Sequence, residues 1–127
     1  MKLLTIIIPA YNETRTISKL LTKIFNLNIK KQVIVIDDNS SDDTKDKILK
    51  FKKKIDKIIF HKKNMGKGAS IKSAQKFIKG KYVVIQDADL EYFPKDLQNL
   101  LKKIEKNNHD VVYGSRVLGK NKFQNTK

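Results

Sequence analysis

The chain has no cysteine at all, which excludes a disulfide framework, thiolate catalysis and cysteine-ligated zinc or iron-sulfur sites. That absence agrees with a reducing compartment, and a cytoplasmic setting is expected. Long hydrophobic runs are also missing: no stretch approaches the ~18 to 20 apolar residues that cross a bilayer. The short apolar run in MKLLTIIIPAYNE is interrupted by Pro9 and followed at once by polar residues, so it reads as a first strand rather than a signal sequence. Arginine is scarce. Only Arg15 and Arg116 accompany the lysines, without the interleaved aromatics of a nucleic-acid module, so the net charge of +15 does not point to nucleic acid. The excess lies on lysines such as Lys45, Lys47, Lys50, Lys52, Lys53 and Lys54, and in a chain also rich in Ile and Asn it reads first as compositional bias. Lysine-rich faces are compatible with a peripheral position at an anionic membrane surface.

What is present fits one domain, since 127 residues with 39% hydrophobic content suffice for a real core. Apolar runs alternate with helical periodicities. Leu3 to Ile8 reads as a strand, and Ile17, Leu20, Leu21, Ile24 and Phe25 mark one face of a helix. Val33 to Ile36 is a second strand. Asp43 or Thr44 opens a second helix with Ile48, Phe51 and Ile55 inward, and Ile58 to Phe60 is a third strand. A third helix carries Ile71, Ala74, Phe77 and Ile78 and ends with Gly80 as its C′ residue; Tyr82 to Ile85 follows as strand four. Pro94 suits the first turn of a fourth helix with Leu97, Leu100, Leu101 and Ile104 inward, and Val111 to Tyr113 is a fifth strand. The order predicts an α/β fold, a mostly parallel doubly wound sheet with helices on both faces. Residues 119–127 lack periodicity and are expected to form a loose tail after a domain spanning 1–118.

In such a sheet the carboxyl ends of the strands share one edge, where open α/β sheets bind ligands. Strand one delivers Pro9, Ala10, Tyr11, Asn12 and Glu13, strand two Asp37, Asp38, Asn39 and Ser40, and strand four Asp87, Asp89 and Glu91. So many carboxylates would repel one another without a cation or a donor-rich ligand. Asp87 and Asp89, one residue apart, can share a hard divalent cation that completes its shell with diphosphate oxygens. Ser40, Ser41 and Asp43 compete as helix caps, and Asp43 is expected to cap while Asp38 binds. Two glycines flank Lys67 before a helix, so backbone N–H groups and an ammonium can face a diphosphate.

The motifs PAYNE, VIVIDDNSSDDT, NMGKGAS, QDADLEYFPKD and VVYGSR, in this order, resemble the family 2 glycosyltransferases of the GT-A, Rossmann-like nucleotide-diphospho-sugar fold. Within that family the likeness is to the dolichyl- or polyprenyl-phosphate mannose and glucose synthases, and it covers residues 3–118. The resemblance implies that Pro9, Tyr11 and Glu13 form the base and ribose pocket and that Ile36 and Asp38 meet the nucleobase. It implies that Asp87-Ala88-Asp89 is the family's DXD motif, with Asp87 at the ribose and metal side, Asp89 on a Mg²⁺ or Mn²⁺ bridging the diphosphate, and Glu91 reaching the same metal. Arg116 matches an arginine assigned to the acceptor phosphate, for which its planar fork is suited.

The implied function is metal-dependent, inverting transfer of glucose or mannose from UDP-glucose or GDP-mannose to polyprenyl or dolichyl phosphate. Two alternatives stay open: transfer to a cell-envelope glycan, and a nucleotide-sugar-binding module without turnover. Relatives continue past GSR with a segment that forms much of the acceptor side, whereas this sequence stops at Lys127, so the acceptor site is expected to be missing or supplied elsewhere. No general base is assigned, and His61 and His109 read as structural. Self-association through an apolar patch left by that missing segment is a further expectation.

Overall fold

The computed structural model describes residues 3–89, 111–113 and 116–118. Its elements are β1 (Leu4–Ala10), α1 (Ile17–Phe25), β2 (Lys31–Asp37), α2 (Thr44–Leu49), β3 (Lys57–Phe60), α3 (Lys67–Gln75), β4 (Tyr82–Ile85), β5 (Val111–Tyr113) and β6 (Arg116–Leu118). They form one sheet in the order β3-β2-β1-β4-β5-β6, parallel throughout except for the antiparallel β5–β6 pair. The fourth helix expected from Pro94, the residue Glu91 and the tail 119–127 lie outside the described residues.

Every residue of β1 is buried, as a continuous apolar run in a central parallel strand must be. Alternate side chains feed two cores. Ile6 and Ile8 meet Ile17, Leu21, Ile24 and Ile48 of α1 and α2, while Ile7 meets Ile34, Ile36, Ile71 and Ala74 beneath α3. Each fully buried isoleucine contributes about 1.5–3 kcal/mol over an exposed one, and this face-to-face division is what sets helices on both sides of the sheet. Pro9 is tolerated inside the strand for a positional reason. Leu4 and Ala10 bond towards β2 while Leu3 and Ile7 bond towards β4, so by alternation Pro9 faces the β4 side, past Ile85, the last residue paired there.

β2 (Lys31–Asp37) and β3 (Lys57–Phe60) are longer than the expected Val33 to Ile36 and Ile58 to Phe60, and three further boundaries differ. β1 runs on through Pro9 to Ala10, because its β2 ladder continues after β4 has ended. α2 stops at Leu49, and Phe51 packs on Phe25 from the following turn, with ring centroids 6.1 Å apart. α3 ends at Gln75, so Gly80 is not its C′ residue. Gly80 lies against the start of β1, donating its N–H to Thr5 Oγ1 at 2.8 Å, and a Cβ there would stand 2.6 Å from the Thr5 nitrogen. Close backbone approach, not helix termination, requires the glycine.

Candidate functional site

At the carboxyl edge the chain passes from β1 to β2 on one side, while β4 lies on the other, so the crevice between β1 and β4 is a topological switch point. A cavity of about 200 Å³ opens there. β1 and its exit contribute Pro9, Ala10, Tyr11 and Glu13; Asp38 follows β2; Lys67 and Ser70 come from α3; Asp87, Ala88 and Asp89 follow β4. Parallel register explains the meeting, since Ile7 pairs with Ile85 and Ala10 with Asp37, which brings the three exits to a similar height.

Local bonds fix these exits. Asn12 and Asn39 adopt left-handed backbone, φ 52° and 61°, which asparagine tolerates better than most residues. The Asn12 N–H donates to Ser40 Oγ at 2.9 Å, Asn12 Oδ1 accepts from the Ser41 N–H at 2.8 Å, and the Glu13 N–H donates to Thr44 Oγ1 at 2.9 Å. The loop after β1 is thus stitched to the loop after β2. Thr16 occupies the N-cap position of α1 without capping it; its hydroxyl donates instead to the Ala88 carbonyl at 2.5 Å. Ala88 itself is buried in the core on the α1 side, which leaves Asp87 and Asp89 turned to the cavity on either side of it.

Asp38 is 4% exposed, and its carboxylate accepts from His61 Nδ1 at 2.8 Å and from the N–H groups of Met65 and Gly66 at 2.9 and 2.8 Å. Burial alone would raise its pKa, but the hydrogen bonds from His61, Met65 and Gly66 prevail and hold it below its ordinary value. Glu13 behaves oppositely: burial first, then the negative charge of Asp89, push its carboxyl up, with Asp42 and Asp87 adding smaller contributions. Across the cavity Lys67 forms an ion pair with Asp87. Glu13, Asp87 and Asp89 therefore face a single lysine among the described lining residues.

That donor set suits a hard cation. Asp87 and Asp89 offer oxygen ligands, and with Glu13 they gather three carboxylates in a cavity lined by one lysine, Lys67. Among the described residues no cluster of three potential ligand side chains exists, so the remaining oxygens would come from substrate, from water or from Glu91, outside the described residues.

Of the residues singled out by sequence, Pro9, Tyr11, Glu13, Asp38, Lys67, Asp87, Ala88 and Asp89 all line this cavity. Ile36 does not: it is wholly buried in the core beneath α3, because the strand's alternation turns it inward before the chain reaches the edge. Arg116 begins β6, paired with Tyr113, which in turn pairs with Ile85, so its backbone lies at the same sheet edge. The expected cap at Asp43 is corrected. Its backbone (φ −87°, ψ 17°) is not extended and makes no side-chain cap bond; Asp43 accepts from the Thr14 hydroxyl, and Asp42 accepts from the Thr44 N–H at 2.9 Å. In the segment whose backbone N–H groups are expected to face a diphosphate, those of Met65 and Gly66 are engaged by Asp38. Sequence reading missed Thr16, Ser70 and the link from His61 to Asp38. Thr16 and Ala88 lie 72 positions apart, so no local pattern announces their bond.

The profile of "Glycosyl transferase family 2" matches residues 5–127. A dolichol-phosphate mannosyltransferase of Pyrococcus furiosus is 32% identical over 124 residues, covering 95% of this chain and 35% of its own length. Among solved structures, S. aureus TarS 1-349 in complex with UDP-GlcNAc superposes with a TM-score of 0.74 at 26% identity, over 87% of this chain and 33% of that one. The mannosyltransferase PcManGT of Pyrobaculum calidifontis, in complex with GDP-Man and Mn²⁺, gives 0.72 at 28% identity, over 80% and 32%. The chain spans half or less of the length of the curated relatives it matches first. A GT-A sheet with its acidic cavity at the switch point and a family match over nearly all residues lead to one conclusion: the chain belongs to glycosyl transferase family 2.

Proposed function

We propose that the switch-point cavity holds a nucleoside diphosphate sugar and that the protein transfers its glucose or mannose, with inversion, to polyprenyl or dolichyl phosphate. The observation that carries this reading is the convergence of Glu13, Asp87, Asp89 and Lys67 on one cavity. Tyr11, 45% exposed at the rim, is available to flank the base, and Asp38 Oδ2, which accepts one N–H, retains capacity for a base N–H. Lys67 is placed to transfer its ammonium from Asp87 to the diphosphate. Mg²⁺ or Mn²⁺ on Asp87 and Asp89, extended by Glu91, would neutralise charge on the departing diphosphate. Arg116 would hold the acceptor phosphate.

In the reaction an acceptor phosphate oxygen attacks C1 of the sugar from the face opposite the leaving group. The C1–O bond breaks and the nucleoside diphosphate departs with the electron pair. The acceptor is already an anion, so the step needs no proton removed from it. The Pyrococcus relative's name supports this acceptor class, and the Mn²⁺ in the PcManGT complex supports a divalent cation. Among the described residues no helix is long and apolar enough to cross a membrane.

Calorimetric titration with UDP, GDP, UDP-glucose and GDP-mannose, each with and without Mn²⁺, tests the donor site and identifies the base. Metal-dependent binding of one nucleotide is expected, and Asp89→Ala should abolish the metal-dependent part. If Asp89→Ala binds with unchanged metal dependence, the assignment of the cation site fails. Formation of a lipid-linked hexose from polyprenyl phosphate then tests the acceptor, and transfer to a glycan instead would overturn it.

A further inference from the structure

His61 lies outside the five sequence motifs, yet its ring bridges the segment after β2 and α3. Its side chain is 7% exposed and that of Asp38 5%. Nδ1 meets Asp38 Oδ1 at 2.8 Å, and Nε2 meets Ser73 Oγ of α3 at 2.9 Å. Asp38, its pKa held below the ordinary carboxylate value, is ionised at neutral pH and can only accept, so Nδ1 carries the proton. In the neutral ring Nε2 then accepts from the Ser73 hydroxyl.

The other bonds of Asp38 reach the loop before α3. Met65 and Gly66 give it their N–H groups, and Asn64 Nδ2 donates to its carbonyl oxygen at 3.3 Å. Gly66 sits at φ 95°, ψ 165°, a conformation close to glycine-only, immediately before Lys67. Glycine reaches this conformation without a Cβ clash but also reaches many others, and what selects it here is one buried carboxylate oriented by one imidazole. Lys67, the next residue, is the one that reaches Asp87 across the cavity.

We propose that His61 is a positioning residue for the donor site: by orienting Asp38 and anchoring Ser73 it holds the Met65–Gly66 backbone, and so fixes where Lys67 stands relative to Asp87 and a bound diphosphate. The inference rests on the donor-site reading given above. It assigns His61 no contact with substrate. The geometry makes a directional distinction between replacements, because Asn offers an amide N–H near the place of Nδ1, whereas Gln offers one near Nε2.

The test combines two readouts on the full chain. Amide hydrogen exchange at Met65 and Gly66, followed by NMR in the free protein, reads the backbone directly; titration with UDP and GDP plus Mn²⁺ reads the site. His61→Phe keeps a ring but no donor, and should speed exchange at both amides and weaken nucleotide binding by about tenfold or more, the scale of one charge-assisted hydrogen bond. His61→Asn should return both to within about threefold of the wild type, and His61→Gln should not. Wild-type exchange and affinity in His61→Phe would overturn the proposal. Should His61→Phe not fold, equal behaviour of the Asn and Gln variants overturns it, and the predicted difference between them supports it. If the wild-type chain binds neither UDP nor GDP, the donor-site reading fails, and exchange at Met65 and Gly66 alone then decides for or against the link through His61.

Discussion

Ala88 illustrates how a small residue between two carboxylates does structural work. It is 2% exposed, packed in the core on the α1 side, and its carbonyl accepts the Thr16 hydroxyl. The acidic turn is therefore tied down by a residue that carries no charge. Thr16→Val replaces the hydroxyl with a methyl of similar size, and since Thr16 makes no cap bond, α1 should persist. The expected loss is about 1 kcal/mol of stability by chemical denaturation, with metal-dependent nucleotide affinity weakened several-fold. Unchanged affinity alongside the stability loss would show that the bond serves the fold alone. Glu13 gives a pH prediction. Its folded pKa is raised above 4.5, so the folded state holds the proton more tightly than the unfolded chain, and this group's contribution to stability declines as pH rises through the window just above 4.5. Glu13→Gln should remove that decline and raise the denaturation midpoint at neutral pH. An identical pH profile in wild type and variant would mean that burial and Asp89 do not act on Glu13 as the geometry indicates.

Elements were legible where apolar periodicity is continuous, and less so where a tertiary contact decides the boundary. The runs Ile6–Ile8 and Val33–Ile36 announce buried strands, and Ile17, Leu20, Leu21 and Ile24 announce α1, because burial selects apolar side chains with the period of the element. The residues past the ends of β1, β2 and β4 were legible as polar clusters for a related reason: there the chain leaves the buried sheet for its open edge. Ile36 was misplaced because it lies one step inside that edge, where strand alternation buries it. Gly80 reads as a helix terminator from sequence because the apolar spacing of α3 continues through Phe77 and Ile78. In the structure those two pack from the following turn, and Gly80 meets the β1 backbone. Gly80→Ala places a methyl 2.5 Å from Thr5 Oγ1, 2.6 Å from the Thr5 nitrogen and 2.9 Å from the Leu3 oxygen. Two of those atoms are backbone, so the strand itself must shift. A loss of about 1–3 kcal/mol is expected in urea denaturation, whereas a helix C′ glycine without such contacts would lose less. A variant as stable as the wild type would show that β1 accommodates the methyl and that close approach does not require glycine at this position.

Across the whole molecule the charge is divided against itself. The chain carries +15, which favours the approach of an anionic nucleotide, but the cavity presents Glu13, Asp87 and Asp89 against Lys67. A diphosphate entering alone meets carboxylates. A divalent cation entering alone finds no cluster of three ligand side chains among the described residues. Each partner supplies what the other lacks, so their binding should be coupled: cation and nucleotide bound together replace repulsion with a shared set of oxygen ligands. Thermal denaturation reads this without any turnover, because a ligand that binds only the folded state stabilises it by about 2.7 kcal/mol at a hundredfold excess over its Kd. Mn²⁺ alone and nucleotide alone should each shift the midpoint slightly, and the two together should shift it by more than the sum. Asp89→Ala should reduce the combined shift to that sum. Simple additivity in the wild type would mean that the two sites are independent, and the shared cation between Asp87, Asp89 and the diphosphate would have to be abandoned.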